Sequence, residues 1–186
     1  MAIARRRMTL EQFLALDEQE PALEYVDGVV TQKMSPKYRH GLLQLQVATL
    51  VNLFAVPRRL ARATPETRTT FASASVVPDV VVFTWDRIPV DEHGEAPDDI
   101  FEPPDVAIEI ASPGQSLRGL TDRCRWYARN GVRVALLVDP GRRSVQLFRA
   151  DGATGPHRGA GRVELGEVIP GFSFTVDELF SALRPR

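Results

Sequence analysis

Two periods of apolar residues alternate along the chain, and together they assign most of its elements. Thr9-Leu10-Glu11-Gln12 reads as a capping box, with Gln12 three residues after the cap; it opens a helix carrying Phe13, Leu14 and Leu16 on its apolar face. LEYVDGVV predicts two short strands around Asp27-Gly28, the dipeptide of a tight hairpin. Ser35-Pro36 marks the start of the next helix, because proline is pre-set for the first helical position. Leu42, Leu43, Leu45, Leu50, Leu53 and Phe54 carry that helix to about Phe54 and predict that it is largely buried.

Beyond that helix, period-two and fully apolar runs dominate. Arg59 to Phe71 reads as weak strand or hairpin, and VVPDVVVFTW as a clear strand beginning after Pro78. Asp86 to Pro104, rich in proline and acid, is a long surface loop. Val106 to Ile110 is a buried strand, and Leu117 to Asn130 a helix closed by Gly131. VRVALLVDP is another strand, turned by Asp139-Pro140-Gly141 into Ser144 to Arg149, which alternates like an outer antiparallel strand. A Gly-rich tip from Asp151 to Gly161 and a short strand lead to a final helix capped near Asp177. This order specifies an α/β fold of the α+β sandwich type, a mixed, curved β-sheet flanked by helices.

Composition narrows the class. The 186 residues suit one domain over residues 9–186, preceded by a basic arm over residues 1–8 that contains Arg5, Arg6 and Arg7. No apolar run approaches the ~20 residues that span a bilayer, so no membrane partner is expected. A lone Cys124 excludes an internal disulfide and suits a cytoplasmic location. Net charge is −1, so any nucleic-acid affinity must come from local concentration of charge. Of the 23 basic residues only Lys33 and Lys37 are lysines. Neither a cysteine pair, a His-x-x-His spacing nor a Gly-rich phosphate loop is present, which argues against zinc and nucleotide sites.

Four polar side chains occupy places where apolar ones would be cheaper: Glu24 inside LEYV, His40 one turn into a helix, Asp79 before VVVF, and Glu109 inside VAIEI. Each has a bland alternative. Glu24 can face solvent, His40 can pair with a neighbour, and Asp79 can be a strand-edge residue. Glu109 is hardest to dismiss: with Ile108 and Ile110 facing one side, it points to the other face of the sheet. Carboxylates on separate strands are suited to gripping a hard cation.

The blocks LEYVDGVVTQKMSPKYRH, VVPDVVVF, PPDVAIEIASP, DRCRWYARNGVRVALLVDP and VIPGFSFTVDELF, in this order, resemble the Uma-two family over about Thr9 to Leu183. That family is a mostly bacterial group of restriction-endonuclease type within the PD-(D/E)XK nuclease superfamily. The resemblance implies a restriction-endonuclease-like core and phosphodiester hydrolysis, with DNA as the expected substrate. It puts Glu24, His40, Asp79 and Glu109 in the site. Many metal-dependent nucleases carry a lysine two residues after the glutamate, where this chain has Ala111. In the family that lysine lies on the following helix, four residues before a tyrosine; counting back from Tyr127 reaches Arg123.

By the same resemblance Asp79 and Glu109, with the Ile110 carbonyl as a third ligand, would hold Mg²⁺ or Mn²⁺. His40 would ligate the metal or shuttle a proton, and Glu24 would hold a metal-bound water or a second ion. Arg123 supplies charge but is effectively never deprotonated. Arg125 and Lys37 are other candidate cations. Cys124 reads as a small core residue, and Trp126 and Tyr127 as packing between helix and sheet. A homodimer is implied, since superfamily nucleases often pair subunits to cut two strands. Two other functions remain open: a catalytically impaired relative acting as a nucleic-acid-binding or interaction module, and a hydrolase of a smaller phosphoester.

Overall fold

The computed structural model describes residues 8–184. The basic arm expected over residues 1–8 lies, but for Met8, outside them. The framework is a six-stranded mixed sheet in the order β10-β9-β8-β7-β6-β3. Its strands are β3 (Ala61–Pro65), β6 (Val80–Thr84), β7 (Val106–Ile110), β8 (Val134–Asp139), β9 (Ser144–Arg149) and β10 (Gly152–Arg158). Only β7 and β8 run parallel, joined by the crossover helix α3 (Leu117–Arg129). A second sheet, β2-β1-β5-β4, comprises β1 (Leu23–Val26), β2 (Val29–Gln32), β4 (Thr69–Phe71) and β5 (Ala74–Val76). A small pair, β11 (Arg162–Glu164) with β12 (Ser173–Thr175), precedes α4 (Val176–Ser181).

Strand alternation divides the core in two. Val80, Val82, Val106, Ile108, Ile110, Leu136 and Val138 pack on one face against α2 (Tyr38–Ala55) and α4, through Leu43, Val47, Val51 and Phe180. Ala107, Ala135, Leu137 and Phe148 pack on the other face against Leu120, Cys124 and Tyr127 of α3. Phe71, Ala74 and Val76 of the second sheet join this latter cluster, so α3 is held between the two sheets. Glu109 therefore points towards α3 while Ile108 and Ile110 point towards α2, as the alternation requires.

The short N-terminal helix α1 (Leu10–Leu14) has the capping box read from its sequence, and Asp27 and Gly28 turn the β1–β2 hairpin with φ of 51° and 78°. Other boundaries differ from expectation. Helix α2 begins at Tyr38 with Lys37 as an N-cap that makes no side-chain bond, two residues beyond Ser35-Pro36. It is buried on one face only, because one sheet covers it, and Leu45 and Leu53 on the opposite face are 66% and 72% exposed. Residues 59–71 do not form a hairpin: the chain turns at Glu66, at φ 46°, sending β3 to one sheet and β4 to the other. The outer position expected for Ser144–Arg149 is taken by β10, formed by the Gly-rich tip through a register shift between Thr154 and His157. Helix α4 is capped by Thr175, two residues before Asp177, in a capping box with Glu178.

One buried acid serves the fold. Asp105, fully buried, accepts from Thr84 N (2.8 Å), Thr84 Oγ1 (3.0 Å) and Arg87 Nη1 (2.7 Å), anchoring the end of the long loop to β6. Asp105→Ala is expected to cost about 2–4 kcal/mol in urea unfolding, because it strands a buried N–H and an arginine. Arg87 is about a third exposed and can rehydrate, which keeps the cost below that of a fully enclosed pair. A loss under about 1 kcal/mol would show that the loop is anchored elsewhere.

Candidate active site

Antiparallel pairing of β6 and β7 sets Val80 opposite Ile108, and the same register continued by one residue sets Asp79 opposite Glu109. Both carboxylates are buried at one end of the sheet, where the first turn of α2 and the middle of α3 also arrive. Asp79 Oδ2 accepts from Ile110 N at 2.7 Å. Its Oδ1 accepts from Lys33 Nζ at 2.9 Å and lies 3.3 Å from His40 Nε2. The other imidazole nitrogen, Nδ1, is 3.0 Å from Ser112 Oγ. Lys33 also donates to Glu66 Oε2 and to Val77 O, each at 2.8 Å. Gln44 donates to the remaining Glu66 oxygen and, at 3.1 Å, to Asp79 O. One ligand atom from each of His40, Glu66 and Asp79 falls within 4.8 Å of the others.

Arg123 organises the second half. Its Nη1 donates to Glu24 Oε2 at 2.7 Å, its Nη2 donates to Glu24 Oε1, and its Nε donates to Glu109 Oε1 at 2.7 Å. Tyr127, one turn later on α3, donates its hydroxyl to the same Glu109 oxygen at 2.7 Å. Val77 N completes the hold on Glu24 at 2.8 Å. Glu24 thus has both oxygens occupied. Glu109 Oε2 has no hydrogen-bond partner among the described residues, and its side chain lines a cavity of about 270 Å³ shared with Glu24, His40, Glu66 and Asp79.

Four carboxylates in this cavity face two basic side chains, Lys33 and Arg123. Burial alone would raise Asp79, but His40, Lys33 and the Ile110 N–H hold it below the usual aspartate range. Burial likewise opposes ionisation of Glu24, and Arg123 with the Val77 N–H outweighs it. The surplus of negative charge falls on Glu109. Burial pushes it up, Arg123 and Tyr127 offset this only in part, and Asp79 and Glu24 add to it, leaving its pKa at about 7. Two carboxylates and an imidazole beside uncompensated negative charge form a donor set that fits a hard divalent cation such as Mg²⁺ or Mn²⁺.

The structure brings together Glu24, His40, Asp79, Glu109 and Arg123 of the side chains read from the sequence as site candidates, while Lys37 lines the neighbouring cleft. Ile110 joins them through its backbone. Arg125 lies apart, paired with Asp122 on the exposed side of α3, and Cys124 is buried in the core. Lys33, Glu66, Gln44 and Ser112 are members that the sequence reading misses, and Tyr127 does more than the packing expected of it. Lysine scarcity is the available signal for Lys33; Glu66, in an exposed turn, offers none.

A mixed sheet covered by helices on both faces, with an aspartate heading one strand opposite a glutamate in the next, defines a nuclease-like fold of the restriction-endonuclease type. The chain belongs to the Uma2 family, described as "Putative restriction endonuclease", whose profile matches residues 10–177. It is similar to the crystal structure of "a putative nuclease belonging to DUF820" from Anabaena variabilis ATCC 29413. The two are 35% identical with a TM-score of 0.90, over 95% of this chain and 99% of that one. A comparison with curated proteins gives no match.

The charge imbalance predicts how stability depends on pH. Glu109 titrates near 4.5 unfolded and near about 7 folded, so the folded state keeps a proton that the unfolded state has lost. Its contribution is complete below pH 4.5 and is lost as pH rises through about 7. In metal-free urea titrations, Glu109→Gln is expected to remove the decline in midpoint between about pH 5 and pH 7.5. An unchanged slope in the variant would assign the decline to another group. Glu24 and Asp79 act in the opposite sense, and their stabilisation is lost as acid protonates them.

Proposed function

We propose that the protein is a metal-dependent phosphodiesterase that cleaves nucleic acid, with DNA as its substrate. The observation carrying this reading is the convergence of His40, Glu66 and Asp79 within 4.8 Å, in a cavity that also holds Glu109, Lys33 and Arg123. Asp79, His40 and Glu66 would hold Mg²⁺ or Mn²⁺, with the unpartnered Glu109 oxygen facing the same space. The Ile110 carbonyl would be a further oxygen ligand: in an extended strand it points to the same side as its N–H, which already meets Asp79. The bound cation would supply Lewis acidity towards the phosphoryl group and the attacking water.

The remaining roles rest on the hydrogen bonds. Glu109 Oε2 accepts a proton from the attacking water, while Arg123 and Tyr127 fix the carboxylate through its other oxygen. With the cation on Nε2, His40 would carry its ring proton on Nδ1, where the N–H would donate a hydrogen bond to Ser112 Oγ. Lys33, whose ammonium already reaches across the cavity, turns towards the phosphate and stabilises charge as it builds. Glu24 and Arg123 are positioning residues in this scheme. A second reading, a nucleic-acid-binding module without turnover, is favoured by one feature: a non-titrating arginine occupies the slot where the resemblance expects lysine.

Metal binding and cleavage test the scheme separately. Asp79→Ala and Glu66→Gln are expected to weaken Mn²⁺ binding, measured by calorimetry, by at least the roughly 10–100-fold typical of perturbed metal sites. Unchanged affinity in both would remove the proposed ligand set. Lys33→Ala is expected to bind Mn²⁺ more tightly, by removing a competing cation, while turnover on plasmid, single-stranded DNA or RNA falls by about 10²–10³. Lower affinity and normal turnover in that variant would reverse its role. Inactivity of the natural chain, relieved by Arg123→Lys, would establish the second reading.

A further inference from the structure

A second cavity, of about 590 Å³, opens directly beside the carboxylate cavity, and His40, Ser112 and Gln115 line both. Its volume lies within the ~300–1,000 Å³ typical of small-molecule sites. Three segments wall it: the first turn of α2, the connection from β7 to α3, and the turn after β8. Ala111, Pro113, Leu117 and Pro140 make much of the wall apolar, and Tyr38 also lines the cavity. Tyr38 is 82% exposed, an aromatic side chain that the described residues leave in water.

The charge around this cleft is positive. Lys37 and Arg39 flank Tyr38 on the exposed first turn of α2, and neither has an ion-pair partner among the described residues. That turn contains no acid and its N-cap makes no side-chain bond, whereas α1 and α4 are closed by capping boxes with acids in their first turns. Two cations at the positive end of an uncapped helix oppose the usual electrostatic preference, and an anion would relieve the conflict. The one carboxylate in the lining, Asp139, is consumed by its own turn. It accepts from Gly141 N (2.9 Å), Arg142 N (3.1 Å) and Arg142 Nη1 (3.2 Å).

An aromatic face, apolar walls, a basic rim and continuity with the proposed phosphodiester site define one occupant. We propose that the cleft receives a nucleobase of the substrate strand, turned out of its stack onto Tyr38, while an adjoining phosphate lies at the carboxylate cavity. Lys37 and Arg39 hold the next phosphate along the strand. The consequence is a substrate class: strands with an unpaired or easily unstacked base at the cut site, since a fully paired duplex must first pay for extrusion. This proposal rests on the nuclease reading but is tested apart from it.

The probe is a short single-stranded oligonucleotide carrying 2-aminopurine, compared with the same strand bearing an abasic site at that position. The full chain is used in chelator, so that nothing is cut. The base-bearing strand is expected to bind about 5- to 100-fold more tightly, with 2-aminopurine emission quenched by stacking. Tyr38→Ala should abolish both the preference and the quenching, and Tyr38→Phe should restore them. Replacing Lys37 and Arg39 by alanine together should weaken both strands alike. Equal affinity for the two strands, no binding of either, or a preference that survives Tyr38→Ala overturns the proposal, even if the protein cleaves DNA normally. Base-selective binding that depends on Tyr38, in a protein that cuts no nucleic acid with any divalent metal, leaves the cleft standing and removes the nuclease reading.

Discussion

One guanidinium joins the two sheets. Arg123, on the helix between them, grips Glu24 of the smaller sheet with both terminal nitrogens and Glu109 of the larger sheet with Nε. Removing Arg123 would leave Glu24 and Glu109 buried without their counter-charge, a far larger penalty than exchanging all three for apolar residues. Such a network therefore says little about why the fold is stable and much about what the fold is arranged to hold. It fixes the helix rotation that brings Tyr127 to Glu109, and it fixes where the second sheet meets the first.

Compensation remains incomplete, and that is the chemically useful part. Glu24 is satisfied at both oxygens, Asp79 is held by a lysine, a histidine and a backbone N–H, and Glu109, which lines the cavity, retains one oxygen without a partner among the described residues. Sheet geometry enforces the arrangement: the register that sets Val80 opposite Ile108 brings the two acids to adjacent strand ends. The alternation that buries Ile108 and Ile110 turns Glu109 to the opposite face. Asp79 and Glu109 reach the cavity through strand pairing alone, one residue beyond the β6–β7 paired segment, and α3 supplies the counter-charge through Arg123.

The same physics decides what the sequence discloses. Acids embedded in apolar runs are conspicuous because their burial is costly, so Glu24, Asp79 and Glu109 stand out, whereas Arg123 is reached only through the family resemblance, four residues before Tyr127. Glu66 does not stand out, because it lies in an exposed turn whose direction is set by a positive φ rather than by any periodicity. Strands of three residues such as β4 and β5 are too short for alternation to register, and β10 hides in a glycine-rich segment that pairs only through a bulge. Leu45 and Leu53 mislead for the converse reason: apolar character predicts burial only if a neighbour covers that face, and none among the described residues does.

The two lysines bear on how the site divides its labour. In a chain whose cations are otherwise all arginine, one lysine reaches into the carboxylate cavity and the other lines the cleft beside it. Arginine's planar fork suits a fixed bidentate hold, which is what Arg123 provides to Glu24. Lysine's compact ammonium on a flexible stem can leave one acceptor for another, and Lys33 is poised among three: Glu66, Asp79 and the Val77 carbonyl. Arginine in the helix slot therefore does not by itself deprive the cavity of a movable cation. A static clamp and a mobile charge are separate requirements, and the fold meets them with different residues drawn from different elements.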